Sequence, residues 1–344
     1  MNIGKIAFRV DALKKIGMGH LMRCFALSEE LVKRKNTCYF LSNIDSKTLF
    51  EKIEKSNIKF EKISTSPKSN QDLKNLIDFS IHNDIDWVVT DHYDIDSEYI
   101  NEIKANCLKV LSIDDTSQIY YKSDLVVNQN IGSEQLRFNA DKSTKFLLGS
   151  EYVMLRDELL RRKEKRIKKN VEKILVTLGG IYYSDLTFQI LKVLKEIIDK
   201  KVEIIFVFGP LNQFDRDFQS KIKKENSPNF KFIFSPENMA DLYIDSDISI
   251  SAGGSSCYEL AYFGIPNIII SVANNQVNIA KELDKKKVSF YLGRKEDFSS
   301  KKLKERLLEL INNSSQRAKM IHNGISLVDG QGKKRIIESM NTFK

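Results

Sequence analysis

The sequence predicts two α/β domains of the Rossmann type, each a parallel sheet wrapped by helices, that face each other across a cleft. The length of 344 residues suits two cores of similar size better than one. Short apolar strands alternate with amphipathic helical segments. A strand, a glycine-rich turn and a helix recur in both halves. We therefore predict an N-terminal domain over residues 1–160, a second domain over 170–328, and a C-terminal helix in 329–344.

In the first half, apolar runs predict the strands of one parallel sheet. They lie at Lys5–Val10 and at residues 37–41, 87–90, 108–113 and 124–128. A helical pattern over residues 21–34 follows the first strand. This rhythm is typical of a parallel sheet covered by helices.

The second half repeats the rhythm. Its strands are predicted at residues 173–178 and at Glu203–Phe208, Phe230–Phe234, Ile248–Ser251 and Asn267–Ser271, with helices over 185–200 and 333–340. The basic run over residues 161–169 is interpreted as the solvated face of a helix between the domains. Ligands of doubly wound sheets bind outside the carboxyl ends of the strands. The polar residues at those ends are therefore the candidates for function.

The composition excludes several classes of protein. Hydrophobic residues make up 42% of the chain and charged residues 29%, as in soluble globular proteins. No apolar run approaches the ~20 residues of a membrane span, and the N-terminus has no secretory pattern. We expect a cytoplasmic protein with no integral membrane contact. The formal charge of +9 comes from lysines spread over the chain, which favours a solvated surface or an anionic substrate over nucleic acid.

The cysteines and histidines predict no metal site. The four cysteines form no CxxC pair and are expected to be free buried thiols. The four histidines form no HExxH-like pattern. We therefore expect neither a metal nor a cofactor. No residue pattern reports the oligomeric state, and the chain is expected to be a monomer.

The first candidate site is the turn that contains Gly17, Gly19 and His20. Glycines allow the backbone to approach a ligand closely, and a helix that begins there directs free N–H groups at an anion. An imidazole, with an ordinary pKa near ~6.5, suits a general base at neutral pH. The alternative is a histidine that caps the helix.

Two more candidates follow predicted strands of the first half. Asp91, His92 and Tyr93 could position a substrate or an attacking water; a solvated turn is the alternative. Asp114 and Asp115 are paired carboxylates, which can perform acid–base chemistry but also cap helices. The capping interpretation is favoured for this pair.

The second half carries a glycine- and serine-rich turn that resembles a phosphate cradle. Small residues follow an apolar strand and precede a helix, an arrangement that presents backbone N–H groups to an anion. These residues are Gly253, Gly254, Ser255 and Ser256. Glu259, about one turn further on, could bind both ribose hydroxyls. A tight turn without a ligand is the alternative reading.

Two weaker candidates lie nearby in this half. Gly179 and Gly180 end the strand at residues 173–178. Asn274, Asn275 and Gln276 form an amide cluster that could recognise a base edge or a sugar amide, although such clusters also form loops.

The residues also resemble a known family over nearly the whole chain. The segments FRVDALKKIGMGHLMRCFALSEEL, VVTDHYDID, SIDD, ILVTLGG and SAGGSSCYELAYFGIPNIIISVANNQ are similar to the PseG family. These enzymes are UDP-2,4-diacetamido-2,4,6-trideoxy-β-L-altropyranose hydrolases of pseudaminic acid biosynthesis, a pathway of flagellin glycosylation and surface polysaccharides. The C-terminal half also resembles the peptidoglycan glycosyltransferase that uses UDP-N-acetylglucosamine.

The resemblance implies a GT-B fold and metal-free hydrolysis of a UDP-sugar at C1 with inversion. It implies that His20 is catalytic and that the second domain binds UDP through the glycine/serine turn and Glu259. The chain departs from the family pattern at Ile181, Tyr182 and Tyr183, which follow the Gly-Gly pair.

Further substrate contacts follow from this reading. Arg9 and Asp11 are expected to orient the substrate or tune His20, with Gly19 beside them. The acetamido groups are expected to contact Asp91, His92, Tyr93 and Asn128. The alternatives are a glycosyltransferase that uses a UDP-sugar donor and a non-catalytic nucleotide-sugar binding protein.

Overall fold

A computed structural model describes residues 2–13, 17–162, 167–180, 183–210, 216–225 and 227–343. The chain forms two compact units. The first comprises Met1–Asp157 together with Gly330–Lys344, and the second comprises Glu158–Asp329. The C-terminal segment thus belongs with the first unit.

The first unit is built on a seven-stranded sheet in the order β3-β2-β1-β4-β5-β7-β9. The strands of this unit are β1 (Lys5–Val10), β2 (Thr37–Ser42), β3 (Lys59–Lys62), β4 (Trp87–Asp91), β5 (Lys109–Ile113), β6 (Tyr120–Tyr121), β7 (Leu125–Asn128), β8 (Asn139–Ala140) and β9 (Lys145–Leu148). Its helices before the second unit are α1 (Gly19–Lys33), α2 (Lys47–Glu54), α3 (Asn70–His82) and α4 (Ser97–Ala105). All pairs in the large sheet are parallel, and β6 and β8 form a separate small parallel pair.

The central strands are apolar because helices cover both faces of the sheet. Every residue of β4 and β7 is buried, as expected for parallel strands with no solvent-facing side. Val10 at the end of β1 pairs with Asp91 at the end of β4. The carboxyl ends of β1, β4, β5 and β7 therefore lie at one edge, where polar side chains replace apolar ones.

The second unit has a six-stranded sheet in the order β12-β11-β10-β13-β14-β15, again with parallel pairs. Its strands are β10 (Lys173–Thr177), β11 (Glu203–Phe208), β12 (Phe230–Phe234), β13 (Ile248–Ser251), β14 (Asn267–Ser271) and β15 (Ser289–Arg294). Its helices are α5 (Ser184–Ile197), α6 (Arg216–Lys223), α7 (Met239–Asp245), α8 (Ser256–Tyr262), α9 (Asn275–Lys285), α10 (Ser300–Asn312) and α11 (Ser314–Leu327). The core joins β10, β11 and β13 to α5 and α10 through side chains such as Ile174, Phe206 and Leu307.

The C-terminal helix α12 (Gly332–Asn341) packs on the first unit at its first residues. A Cβ on Gly332 would lie 2.3 Å from the carbonyl oxygen of Val153, so only glycine permits this approach. The buried Lys333 places Nζ 2.7 Å from Oδ1 of Asp157. These contacts fix the helix to the first unit.

The predicted strands are confirmed, and helices are present where α1, α5 and α12 were predicted. One prediction is wrong. At the basic run over 161–169, the described residues 161–162 and 167–169 are not helical, and the others lie outside the described part of the chain. In the part that the structure describes, no helix combines the length and the apolar character needed to cross a membrane.

Candidate functional site

One end of the first sheet carries a histidine held by a carboxylate. His20 is the second residue of α1, and Asp91 is the last residue of β4. Nδ1 of His20 lies 2.6 Å from Oδ1 of Asp91, and both side chains are buried. Because an ionised carboxylate accepts hydrogen bonds and cannot donate them, Nδ1 carries the proton. Nε2 then keeps its lone pair and can accept a proton.

Arg23 organises the carboxylates around this histidine. It lies three residues after His20, on the same face of α1. Its Nε and Nη2 atoms each lie 2.6 Å from an oxygen of Asp91, which makes a bidentate pair. Its Nη1 atom donates to Asp115 at 2.7 Å. One buried guanidinium therefore joins the ends of β4 and β5.

The charge of Arg23 sets the ionisation of both carboxyl groups. Burial alone would raise the pKa of Asp91 and that of Asp115, but the charge and hydrogen bonds of Arg23, together with the neighbouring His20, outweigh burial and hold both pKa values below the usual range. Both groups are therefore ionised at neutral pH. An ionised Asp91 fixes the His20 tautomer and can stabilise the imidazolium that forms when Nε2 takes a proton.

Tyr93 covers the solvent side of this cluster. Its ring packs edge-on against His20 with centroids 4.6 Å apart, and the residue is 48% exposed. Its hydroxyl donates to Oδ2 of Asp115 at 3.3 Å, and Nδ2 of Asn130 donates to Oδ1 of the same residue at 2.8 Å. A molecule that approaches His20 from this side would contact the tyrosine ring.

The neighbouring carboxylates of Asp114 and Asp115 have different hydrogen-bond partners in the structure. Asp114 accepts hydrogen bonds from the backbone N–H groups of Thr116 and Ser117, each at 2.6 Å. It therefore stabilises the turn after β5. Asp115 belongs to the His20 cluster instead.

Arg9 and Asp11 lie beneath the cluster and bind each other. Arg9 is fully buried, and its Nη1 donates to Asp11 at 2.6 Å. Its Nε and Nη2 donate to Asp72 of α3, which also accepts from the Tyr99 hydroxyl at 2.7 Å. Both side chains are enclosed in this network, which joins β1 to α3. Their expected role in orienting the substrate or tuning His20 stays a prediction.

His92 is held in the opposite tautomer to His20. Its Nδ1 accepts the backbone N–H of Asp94 at 3.0 Å, so its proton is on Nε2, which lies 3.6 Å from Oδ2 of Asp11. Burial lowers the pKa of His92, and the nearby Asp11 only partly offsets this effect. His92 is therefore a neutral group that stabilises the turn after β4.

Two further predicted residues of this unit line the same edge. Asn128 is fully buried at the end of β7, and its Oδ1 accepts the backbone N–H of Asn130 at 3.0 Å. This bond fixes the loop that brings Asn130 to Asp115. Gly19 begins α1, and a Cβ there would meet no atom of the described residues within 4 Å.

The glycine/serine turn of the second unit is tied to the amide loop after β14. The side-chain oxygen of Gln276 accepts the backbone N–H groups of Gly253, at 3.2 Å, and Val272, at 2.9 Å. A Cβ on Gly253 would lie 2.9 Å from Gln276 atoms, whereas one on Gly254 would meet only Nε2 at 3.7 Å. The loops after β13 and β14 therefore form one connected surface.

The other predicted residues of this unit lie at the same strand ends. Ser255 and Asn274 are exposed, and Ser256 opens α8. Glu259 is half-buried on α8, where its Oε2 accepts the hydroxyl hydrogen of the buried Tyr243 at 2.7 Å. The tyrosine thus fixes one carboxylate oxygen.

Gly179 and Gly180 follow β10 and lie beside the turn that contains Gly209. Gly179 has a φ of 92°, which favours glycine. Gly180 packs against Gly209, where a Cβ would lie 3.0 Å from the Gly180 Cα. Of the three residues that depart from the family pattern, Ile181 and Tyr182 lie outside the described residues.

Sequence reasoning did not predict the residues that bind the carboxylates of Asp91, Asp115 and Glu259. Arg23 could have been found, since it lies one helical turn from His20 within the quoted motif. No sequence pattern pointed to Asn130 or Tyr243, because their contacts depend on which strands and helices become neighbours. Among the described residues, no group of three or more His, Cys, Asp and Glu side chains could hold a metal ion.

Comparison with known proteins agrees with this architecture. Residues 173–340 match the glycosyltransferase family 28 C-terminal domain. The most similar solved structures include MurG of Acinetobacter baumannii, with a TM-score of 0.67 and 13% identity over 98% of this chain and 99% of that one. A UDP-GlcNAc 2-epimerase from Neisseria meningitidis, bound to UDP-GlcNAc, gives a TM-score of 0.66 and 13% identity over 98% and 100% of the chains. The protein therefore has the GT-B fold, with two Rossmann-like units.

Several curated proteins are similar in sequence. An uncharacterized protein of Methanocaldococcus jannaschii is 29% identical over 77% of this chain. The spore coat polysaccharide biosynthesis protein SpsG of Bacillus subtilis is 26% identical over 96% of this chain and 95% of its own length. A Helicobacter pylori protein is 24% identical over 58% of this chain; its name joins pseudaminic acid cytidylyltransferase to UDP-2,4-diacetamido-2,4,6-trideoxy-beta-L-altropyranose hydrolase. The alignments span 55% of the M. jannaschii protein and 36% of the H. pylori protein. The C-terminal part of the chain is thus similar to the glycosyltransferase family 28 C-terminal domain.

Proposed function

We propose that the protein hydrolyses a UDP-linked diacetamido-trideoxy hexose to free sugar and UDP, with inversion at C1, in the biosynthesis of a pseudaminic-acid-type sugar. The observation that carries this proposal is the 2.6 Å contact between Nδ1 of His20 and Asp91. This contact leaves Nε2 as a proton acceptor at the end of a sheet where substrates of such folds bind. The similarity to the H. pylori protein supports the choice of reaction.

In the proposed reaction, Nε2 of His20 takes a proton from a water molecule as that water attacks C1. The bond between C1 and the UDP oxygen breaks with its electron pair leaving on UDP, through a transition state with oxocarbenium character. Attack on the face opposite UDP inverts the anomeric centre. Asp91 stabilises the imidazolium, and Arg23 keeps Asp91 ionised.

We assign recognition of UDP to the second unit. The backbone N–H groups around Gly253, Gly254, Ser255 and Ser256 would bind the diphosphate, and Glu259 would bind the ribose hydroxyls. Gly179 and Gly180 are assigned to the same nucleotide site, and Asn274 and Gln276 to the adjoining part of the substrate. The match to the glycosyltransferase family 28 C-terminal domain supports this assignment.

We assign the sugar to the first unit. Tyr93, which packs on His20 and is exposed, is the candidate for contact with an acetamido group or the sugar ring. Asp115 is a further candidate, since its carboxylate can accept a hydrogen bond from an amide N–H.

The test is incubation of the purified protein with UDP-2,4-diacetamido-2,4,6-trideoxy-β-L-altropyranose in ¹⁸O-water, followed by NMR and mass spectrometry. The proposal requires ¹⁸O in the free sugar and the inverted anomer as first product. Label in UDP instead would indicate attack at phosphorus and would exclude the mechanism.

A glycosyltransferase is the second candidate. The match over residues 173–340 and the similarity to MurG-type enzymes favour it. A transferase would release UDP only when an acceptor is present, and the sugar would appear on that acceptor. Product analysis with and without added acceptors separates the two reactions.

A further inference from the structure

Tyr243 places a buried hydroxyl against the half-buried carboxylate of α8. The tyrosine lies on α7 and is fully buried, with its ring 5.3 Å from that of Phe263. Its hydroxyl donates to Oε2 of Glu259 at 2.7 Å. A buried phenol needs a hydrogen-bond partner. Tyr243 lies on α7, which precedes β13, and its partner lies on α8, which follows β13.

This contact restricts the orientation of Glu259. A half-buried glutamate has several rotamers available, and its terminal carboxylate rotates with a broad preference. Anchoring one oxygen on a rigid, buried partner limits both freedoms. The plane of the carboxylate is then set before any ligand arrives, and less conformational entropy is lost when a ligand binds.

We propose that Tyr243 is a positioning residue that makes the site of the second unit selective for a nucleotide with a vicinal diol, through Glu259. This inference rests on the proposed UDP site. A carboxylate can accept hydrogen bonds from both hydroxyls of a ribose only when its plane faces them. Tyr243 fixes that plane and does not itself contact the ligand.

Titration calorimetry with UDP and with 2′,3′-dideoxy-UDP tests the proposal. Wild-type protein binds UDP more tightly than the dideoxy analogue. Tyr243→Phe weakens UDP binding about 3- to 10-fold, the effect of one hydrogen bond. It leaves binding of the dideoxy analogue within about twofold, because that ligand has no hydroxyls for Glu259 to hold. A merely structural role would weaken both nucleotides equally, and that result would overturn the proposal.

Tyr262→Phe is the matched control. Tyr262 is a buried tyrosine on the same helix as Glu259, packed against Phe263 and Arg162. This variant leaves both affinities unchanged. If it reproduced the selective loss of Tyr243→Phe, the effect would belong to the helix and not to the Tyr243 hydroxyl, and the proposal would fall.

A single variant of Glu259 keeps the proposal testable if Tyr243→Phe folds poorly, and a double variant tests whether the two residues act together. Glu259→Asp withdraws the carboxylate from Tyr243 and removes the preference for UDP over the dideoxy analogue. In Glu259→Gln, adding Tyr243→Phe causes no further loss, because both act through one interaction. The proposal would be overturned if Glu259→Asp kept the full preference for UDP over the dideoxy analogue. It would also be overturned if the losses of UDP affinity in the double variant were additive. Wild-type protein that binds neither nucleotide would instead contradict the proposed function itself.

Discussion

The two units are built on parallel sheets of similar strand order but place different chemistry at the carboxyl ends of their strands. The first unit places ionised side chains there, with Arg23 and Asp91 only 7% and 1% exposed. The second presents glycines, serines and amides, with Glu259 as the carboxylate held by Tyr243. The difference supports the proposed division of roles between the two units. Buried charges fix a proton acceptor in one orientation, whereas small residues let backbone groups approach an anionic ligand.

The sharpest test of this division is His20→Ala. We expect turnover to fall by about 10²- to 10⁴-fold, the usual contribution of a general base, with no change in affinity for UDP. Steady-state kinetics and calorimetry measure the two effects separately. His82→Ala, which removes an exposed histidine at the end of α3, is the control. Near-normal turnover in folded His20→Ala protein would show that His20 is not the general base.

Asp91→Asn tests the orientation of that base. The amide can donate to Nδ1 of His20 and so favour the tautomer with the proton on Nε2, which cannot act as a base. We expect turnover to fall on the order of 100-fold, as well as a lower melting temperature because Arg23 loses a charged partner. Asp114→Asn, a change in the turn after β5, should leave turnover intact. Equal losses in both variants would argue against a specific role for Asp91.

Arg23→Gln should move the acid limb of kcat/KM to higher pH. In the wild type, Asp91 and Asp115 have lowered pKa values, so their contribution to stability is present above the unfolded value of ~3.9 and is lost as the pH falls through the folded values. Without the guanidinium, burial remains and raises both pKa values. Protonation of Asp91 then begins at higher pH, and the contact that fixes the tautomer of His20 is lost. A pH profile with an unmoved acid limb would show that Arg23 does not control this carboxylate.

A smaller effect is expected at the glycine/serine turn of the second unit. Gly253→Ala places a Cβ 2.9 Å from Gln276 and should lower the free energy of unfolding by about 1–3 kcal/mol. Gly254→Ala, whose nearest contact is 3.7 Å, should cost less than about 0.5 kcal/mol. Denaturant titration compares the pair. Equal destabilisation would mean that the Gln276 contact does not define this turn.

The smallest effect is expected for Tyr99→Phe, beneath the first site. Asp72 keeps Arg9 and Thr65 as donors when the tyrosine hydroxyl is removed. We expect a loss of about 1 kcal/mol of stability, measured by denaturant titration, and no change in kcat. A large loss of turnover would instead connect the Arg9 network directly to catalysis.

Most of the fold could be predicted from the sequence, because buried parallel strands appear as apolar runs. The strands that were not predicted are β3, β9 and β15, which lie at sheet edges, and the short pair β6 and β8; of these, KFEK in β3 is largely exposed. An edge strand of this kind carries no apolar run. The helix predicted over residues 161–169 followed from charge and expected location, without an apolar stripe to support it.

The site was predictable in position but not in its pairings. His20 was expected at the start of a helix and Asp91 at the end of a strand, yet their contact depends on β4 lying beside β1, which the sequence does not state. The same holds for Asp115 and Asn130, which approach each other across the ends of β5 and β7. Arg9 was expected to orient the substrate or tune His20 because it lies beside the glycine turn. Its buried hydrogen bonds to Asp72 of α3 could not be predicted, because they depend on where α3 packs.

The tautomers of the two buried histidines test the central claim most directly. ¹⁵N chemical shifts of uniformly labelled protein at mildly alkaline pH report which ring nitrogen carries the proton, and the His20→Ala and His92→Ala variants assign the signals. We predict a protonated Nδ1 and an unprotonated Nε2 for His20, with the opposite arrangement for His92. A proton on Nε2 of His20 would contradict the proposed base.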